Sequence, residues 1–111
     1  MTALETTSYS KWYASHRRFS FTARFCIDLY EDGKQIPDTI FKPFLKSLSC
    51  HSKSEEKMFQ RLNLPDSVFD EHTKIIPSKT YTNEEKYNLC MNLLPHMKQE
   101  ESLLEEYLFG K

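Results

Sequence analysis

Four histidines are spread along the chain, His16, His51, His72 and His96, and two of them have a glutamate four residues later: His51 with Glu55 and His96 with Glu100. Imidazole and carboxylate are donors for iron, copper, zinc and manganese. On a helix, residues four apart project from the same side, so each His–Glu pair can close on one metal ion or bridge two. Taken singly, a histidine on an apolar helix face is more often a hydrogen-bonded core residue, and a glutamate beside it a solvated neighbour. Taken together, the six side chains carry more weight, because buried carboxylates are costly unless they are paired or hold a cation. The joint pattern predicts a metal cluster with His16, His51, Glu55, His72, His96 and Glu100 as its ligands.

The elements that must position these groups read as helices. From about Ser10 to Tyr30, the residues Trp12, Phe19, Ala23, Ile27 and Tyr30 recur at helical spacing, with His16 on the same face. The stretch Glu31-Asp32-Gly33-Lys34 then stops the helix, since glycine accepts the left-handed conformation favoured at helix ends. A second helix is expected from Asp38 to about Leu62, with His51 and Glu55 in the stripe of Phe44, Leu48 and Met58. Pro43 predicts a later start or a slight bend. A short third helix is expected after Asp66, carrying Val68, His72 and Ile76 and ending at Pro77. Thr82-Asn83-Glu84-Glu85 is a capping-box sequence, and a fourth helix follows towards Phe109, kinked at Pro95, with His96 and Glu100 at the edge of its apolar stripe.

The turn positions bring three of the helices' ligands to one level: His16 lies about as far before the first break as His51 lies beyond Asp38, and Glu55 and His72 flank the second break similarly. The last hairpin is offset by about 12 Å at the helical rise. The Pro95 kink and an irregular stretch between Pro77 and Asn88 are expected to absorb that difference.

Length and composition set the frame. At 111 residues the chain suits one domain with a single core. Only two glycines are present, too few for a sheet built on tight hairpins, so the composition favours packed helices. Fifteen basic against sixteen acidic residues leave no positive field for collecting phosphates, which argues against a nucleic-acid partner. The opening MTALETTSYSKW lacks the basic start and apolar run of a signal peptide, and no stretch approaches membrane-spanning length; an intracellular location away from membranes is expected. Cys26, Cys50 and Cys90 form no C-x-x-C pair and are expected to be buried thiols.

A histidine in helix one, H-x-x-x-E in helix two, a histidine in a short helix three and H-x-x-x-E-E in helix four resembles the hemerythrin family, including the broader hemerythrin-like cation-binding domains. The resemblance spans Ser10 to Phe109. It implies an all-α, up-down-up-down four-helix bundle with a dinuclear site in its core, as a single domain over residues 1–111 with residues 1–9 as a flexible lead. By the same resemblance Glu55 and Glu100 bridge two ions, with His16 and His51 on one and His72 and His96 on the other. Oxygen carriers of the family use an aspartate five residues after the last histidine; that offset falls on Glu101, the substitute ligand. They also have two histidines four apart in helix three, whereas the positions flanking His72 are Val68 and Ile76.

Four histidines in place of five leave an extra open position, which shifts the expectation from reversible carriage towards sensing, peroxide or nitric oxide chemistry, or metal storage. The leading expectation is a non-haem dinuclear protein, with iron first and copper or zinc as alternatives, that binds or senses dioxygen or a related small ligand. The alternatives are a redox enzyme acting on peroxide or oxygen at the same centre, and a metal-free helical interaction module whose histidines are core residues.

Overall fold

A computed structural model of the chain describes residues 3–63 and 75–110. Three helices and no strand occur among the described residues: α1 (Ala3–Glu31), α2 (Asp38–Arg61) and α3 (Asn83–Phe109). The helix expected between Asp66 and Pro77, and His72 with it, lies outside the described residues except for its last positions. Ile75 to Thr82 is irregular. No helix among the described residues is long and apolar enough to cross a membrane.

Local chemistry sets the helix ends. Gly33 adopts φ 77°, and the Gly33 and Lys34 amides donate back to the carbonyls of Tyr30 and Leu29 at 2.9 Å each. This Schellman arrangement closes α1 at the predicted place. At its other end α1 begins at Ala3, well before the start near Ser10 that apolar periodicity predicts. Ala3, Leu4 and Glu5 are good helix formers, a preference that apolar spacing does not register. Pro43 neither delays nor ends α2, which starts at Asp38 directly after Pro37. For α3 the capping box is complete: the Glu85 amide donates to Thr82 Oγ1 at 3.1 Å, and the Thr82 amide donates to Glu85 Oε1 at 2.9 Å. The helix is continuous from Asn83 through Pro95 to Phe109, so the irregular stretch ends earlier than Asn88.

Both α2 and α3 run antiparallel to α1. Trp12 meets Phe59 while Phe19 meets Phe44; Tyr9 meets Phe109 while Tyr30 stacks on Tyr87. Helices α2 and α3 are therefore parallel to one another. Asn83 and Lys86 of α3 hold the loop between α1 and α2: the Ile36 amide donates to Asn83 Oδ1 at 2.7 Å, and Lys86 Nζ donates to the Ile36 carbonyl at 2.7 Å. Lys86 also pairs with Asp38 at 2.8 Å.

The apolar core comes in two parts. A larger cluster contains Ala23, Ile36, Phe41, Leu45, Leu48 and Leu93, and a smaller one joins Trp12, Phe59 and Leu104. Each large side chain so buried contributes about 1.5–3 kcal/mol. Cys26 and Cys90 are free, fully buried thiols in the larger cluster. A hydrogen bond between them pulls the Cys26 thiol down and, with burial, pushes the Cys90 thiol up. Cys50 departs from the expectation: it is exposed, because its place next to His51 turns it away from the core face. Polar residues occupy the space between the two clusters.

Candidate metal centre

Each helix contributes a charged group to that space. His16 of α1, Glu55 of α2, and His96 and Glu100 of α3 are all buried, and His51 of α2 lies at the margin with 14% of its side chain exposed. One oxygen is the focus: Glu55 Oε2 lies 2.8 Å from His16 Nε2, 3.0 Å from His51 Nε2 and 2.6 Å from the donating Trp12 Nε1. The spacing of four residues predicted for His51 and Glu55 is realised on the buried face of α2. The donor atoms of His16, His51 and Glu55 all lie within 4.8 Å of one another. In a complex with metal–ligand bonds of about 2.1 Å, neighbouring donors are about 3.0–3.4 Å apart. His51 Nε2, at 3.0 Å from Glu55 Oε2, reaches the shorter end of that range, and His16 Nε2, at 2.8 Å, falls just below it.

Glu100 of the α3 pair approaches the same ring nitrogen of His16 that faces Glu55. His96 Nε2 is 3.4 Å from Glu100 Oε2, and Glu100 Oε1 is 3.8 Å from His16 Nε2. Nε2 of His16 thus faces both glutamates, Glu55 closely and Glu100 at longer range. Of the six residues singled out from the sequence, His16, His51 and Glu55 bring donor atoms together closely enough to share one ion; His96 and Glu100 are paired with each other and adjoin this group only through the 3.8 Å approach of Glu100, and His72 lies outside the described residues. Glu101, the substitute ligand, takes a different position: its Oε2 lies 3.0 Å from Nδ1 of His16, on the far edge of the ring.

Two residues of this arrangement escape spacing arguments. Trp12 reads as an apolar core residue, yet its indole N–H bonds Glu55 and its ring lies over His16 with centroids 3.9 Å apart. Glu101 reads as a ligand or a surface charge, and the signal that could have placed it is its position one residue past Glu100, turned towards α1.

The electrostatics follow from burial and pairing. Burial would raise the Glu55 carboxyl, but the His16 and His51 rings outweigh it and take the group down to about 2. Burial lowers His16, while the hydrogen bond and charge of Glu55, then Glu101 and Glu100, raise it above its ordinary 6.5. With carboxylates at both ring nitrogens, the protonated ring can donate to Glu55 and Glu101 at once, which favours the imidazolium form. Releasing the Nε2 proton frees that nitrogen for a cation while Nδ1–H stays on Glu101, the carboxylate–histidine arrangement that orients metal ligands. His51 Nε2 is buried and, despite its 3.0 Å approach to Glu55, makes no aligned hydrogen bond. A nitrogen so placed, in a donor set of imidazoles and carboxylates, fits a divalent transition metal.

Comparison of the chain with protein-family models, curated proteins and solved structures finds no match.

Proposed function

We propose that this chain is a non-haem metal protein of hemerythrin-like type, with a dinuclear centre that is most simply di-iron and that binds or senses dioxygen or a related small ligand. The observation that carries the reading is the buried meeting of His16 from α1 with His51 and Glu55 from α2, whose donor atoms lie within 4.8 Å of one another, with Glu100 of α3 3.8 Å from the same His16 nitrogen. Buried ion pairs are commonly no more stabilising than apolar residues of equal volume, so a cluster of three imidazoles and two carboxylates is poorly explained by stability alone. The parallel course of α2 and α3 also suits an up-down-up-down bundle.

In this reading His16, His51 and Glu55 would hold one ion, and His96, Glu100 and His72 would supply donors for a second. A bound di-iron centre supplies reversible electron exchange with a small oxidant. The protein's part is to orient the rings, through Glu101 at His16 and Trp12 at Glu55, and to exclude bulk water with the Trp12–Phe59–Leu104 cluster at one end. The absorption spectrum of the oxidised protein separates the metals: oxo-bridged iron and copper each give distinct near-ultraviolet and visible bands, and zinc gives none. A protein that acquires no chromophore with iron or copper and takes up no zinc contradicts the reading.

One observation favours a second reading, a metal-free helical module: both nitrogens of His16 already have carboxylate partners. That reading predicts a thermal midpoint unmoved by chelators or added metal.

A further inference from the structure

The candidate centre opens on one side, and that side is positively charged. Between α1 and α2 runs a groove of about 770 Å³ whose inner wall includes His51, Glu55, Trp12, Phe19 and Met58. Four cations line its rims, Lys11 and Arg18 from α1 and Lys46 and Arg61 from α2. All four are exposed, and among the described residues none of them pairs with a carboxylate. Glu55 is the one carboxylate among the described residues that line the groove, and it is buried and engaged by imidazoles. On a chain whose formal net charge is -1, four unopposed cations around one concavity are a local concentration of positive potential.

The helix register arranges these charges. Because Trp12 faces Phe59 and Phe19 faces Phe44, Lys11 and Arg61 fall towards one end of the groove and Arg18 and Lys46 towards the other, with His51 between. Lys11 and Arg18 are about 10 Å apart along the helix axis. Between the charged ends the wall is apolar, formed by Trp12, Phe19 and Met58. An anionic group on a small apolar body matches both features.

We infer that this groove binds a small organic oxyanion, a carboxylate or phosphate ester on an apolar body, and presents its charged oxygen to the His51 side of the centre. Binding in the groove depends on the rim cations alone; presentation to a metal rests on the proposed metal centre.

Calorimetric titration of the full chain tests both parts, with benzoate and phenyl phosphate as probes and benzyl alcohol as the neutral counterpart. The metal-free protein binds one or both anions at a single site, more weakly at high salt, and does not bind benzyl alcohol comparably. The two anions separate a carboxylate preference from a phosphate preference. The double variants Lys11→Gln with Arg61→Gln, and Arg18→Gln with Lys46→Gln, each weaken binding about tenfold or more, on the order of 1.4 kcal/mol. Their unchanged thermal midpoints show that the exposed substitutions leave the fold intact. Zinc-loaded protein binds the preferred anion more tightly than the metal-free form. Equal binding of benzyl alcohol, or anion binding untouched by both double variants, overturns the groove. Anion binding by a protein that takes up no zinc upholds the groove and removes the centre; zinc uptake with no anion binding removes the groove and leaves the centre standing.

Discussion

Trp12 Nε1 donates to Glu55 Oε2 at 2.6 Å, and the same oxygen faces the imidazole nitrogens of His16 and His51 at 2.8 and 3.0 Å. A single buried oxygen is thereby surrounded by three nitrogens from two helices. Hydrogen bonds to charged groups contribute about 1.5–3 kcal/mol each. Trp12→Phe keeps most of the ring's volume and removes the N–H, so it is expected to destabilise the metal-free protein by about 1.5–3 kcal/mol in denaturant titrations. No change in stability would mean that the indole bond is satisfied equally well by water.

Trp12 is the chain's single tryptophan, and its ring lies 3.9 Å from that of His16, centroid to centroid. Paramagnetic copper or iron held at His16 is expected to quench its fluorescence strongly, while zinc at the same place leaves most of the emission. Equal quenching by zinc, or none by copper, would place metal elsewhere.

The metal-free protein should be most stable in a mildly acidic window. The His16 pKa is raised above its ordinary 6.5, so its contribution is complete below 6.5 and is lost as pH rises through the raised value. Glu55 is depressed from 4.5 to about 2, so its contribution is present above 4.5 and lost as pH falls towards 2. Metal affinity runs the other way above 6.5, because a cation at Nε2 of His16 must displace the proton there. Denaturation midpoints measured across this range, with and without metal, should diverge as pH increases. Parallel curves would show that His16 does not exchange a proton for a metal.

Glu101 acts on the site through His16 Nδ1 at 3.0 Å. Outer carboxylates of this kind commonly account for 10–100-fold in metal affinity. Glu101→Gln is expected to weaken metal binding by about that factor without changing the number of ions bound, measured by competition with a chelator. A loss of stoichiometry would instead make Glu101 a ligand.

Much of this arrangement can be read from the chain because it is local. The Thr82–Glu85 box and the Gly33 stop are written in adjacent residues, and the His51–Glu55 and His96–Glu100 pairs follow from helical geometry alone. The level shared by His16 and His51 also follows, since both are measured from the same turn. Trp12 is different: hydrophobic spacing records its ring and is blind to its N–H, so its bond to Glu55 emerges only when α1 and α2 are set side by side. Glu101 is hidden for a related reason, as its partner is 85 positions away in the chain. The basic groove is harder still, because Lys11, Arg18, Lys46 and Arg61 are scattered singly along a nearly neutral sequence and gather only through the antiparallel register.

Metal content tests the central claim most directly. Elemental analysis of the chain purified without added metal, set beside a Glu55→Gln variant that retains helical circular dichroism, is expected to give about one to two transition-metal ions per native chain and a large loss in the variant. A native chain with far less than about one ion, still empty after incubation with ferrous iron, copper or zinc, would contradict the account and leave His16, His51 and Glu55 as a buried hydrogen-bonded cluster.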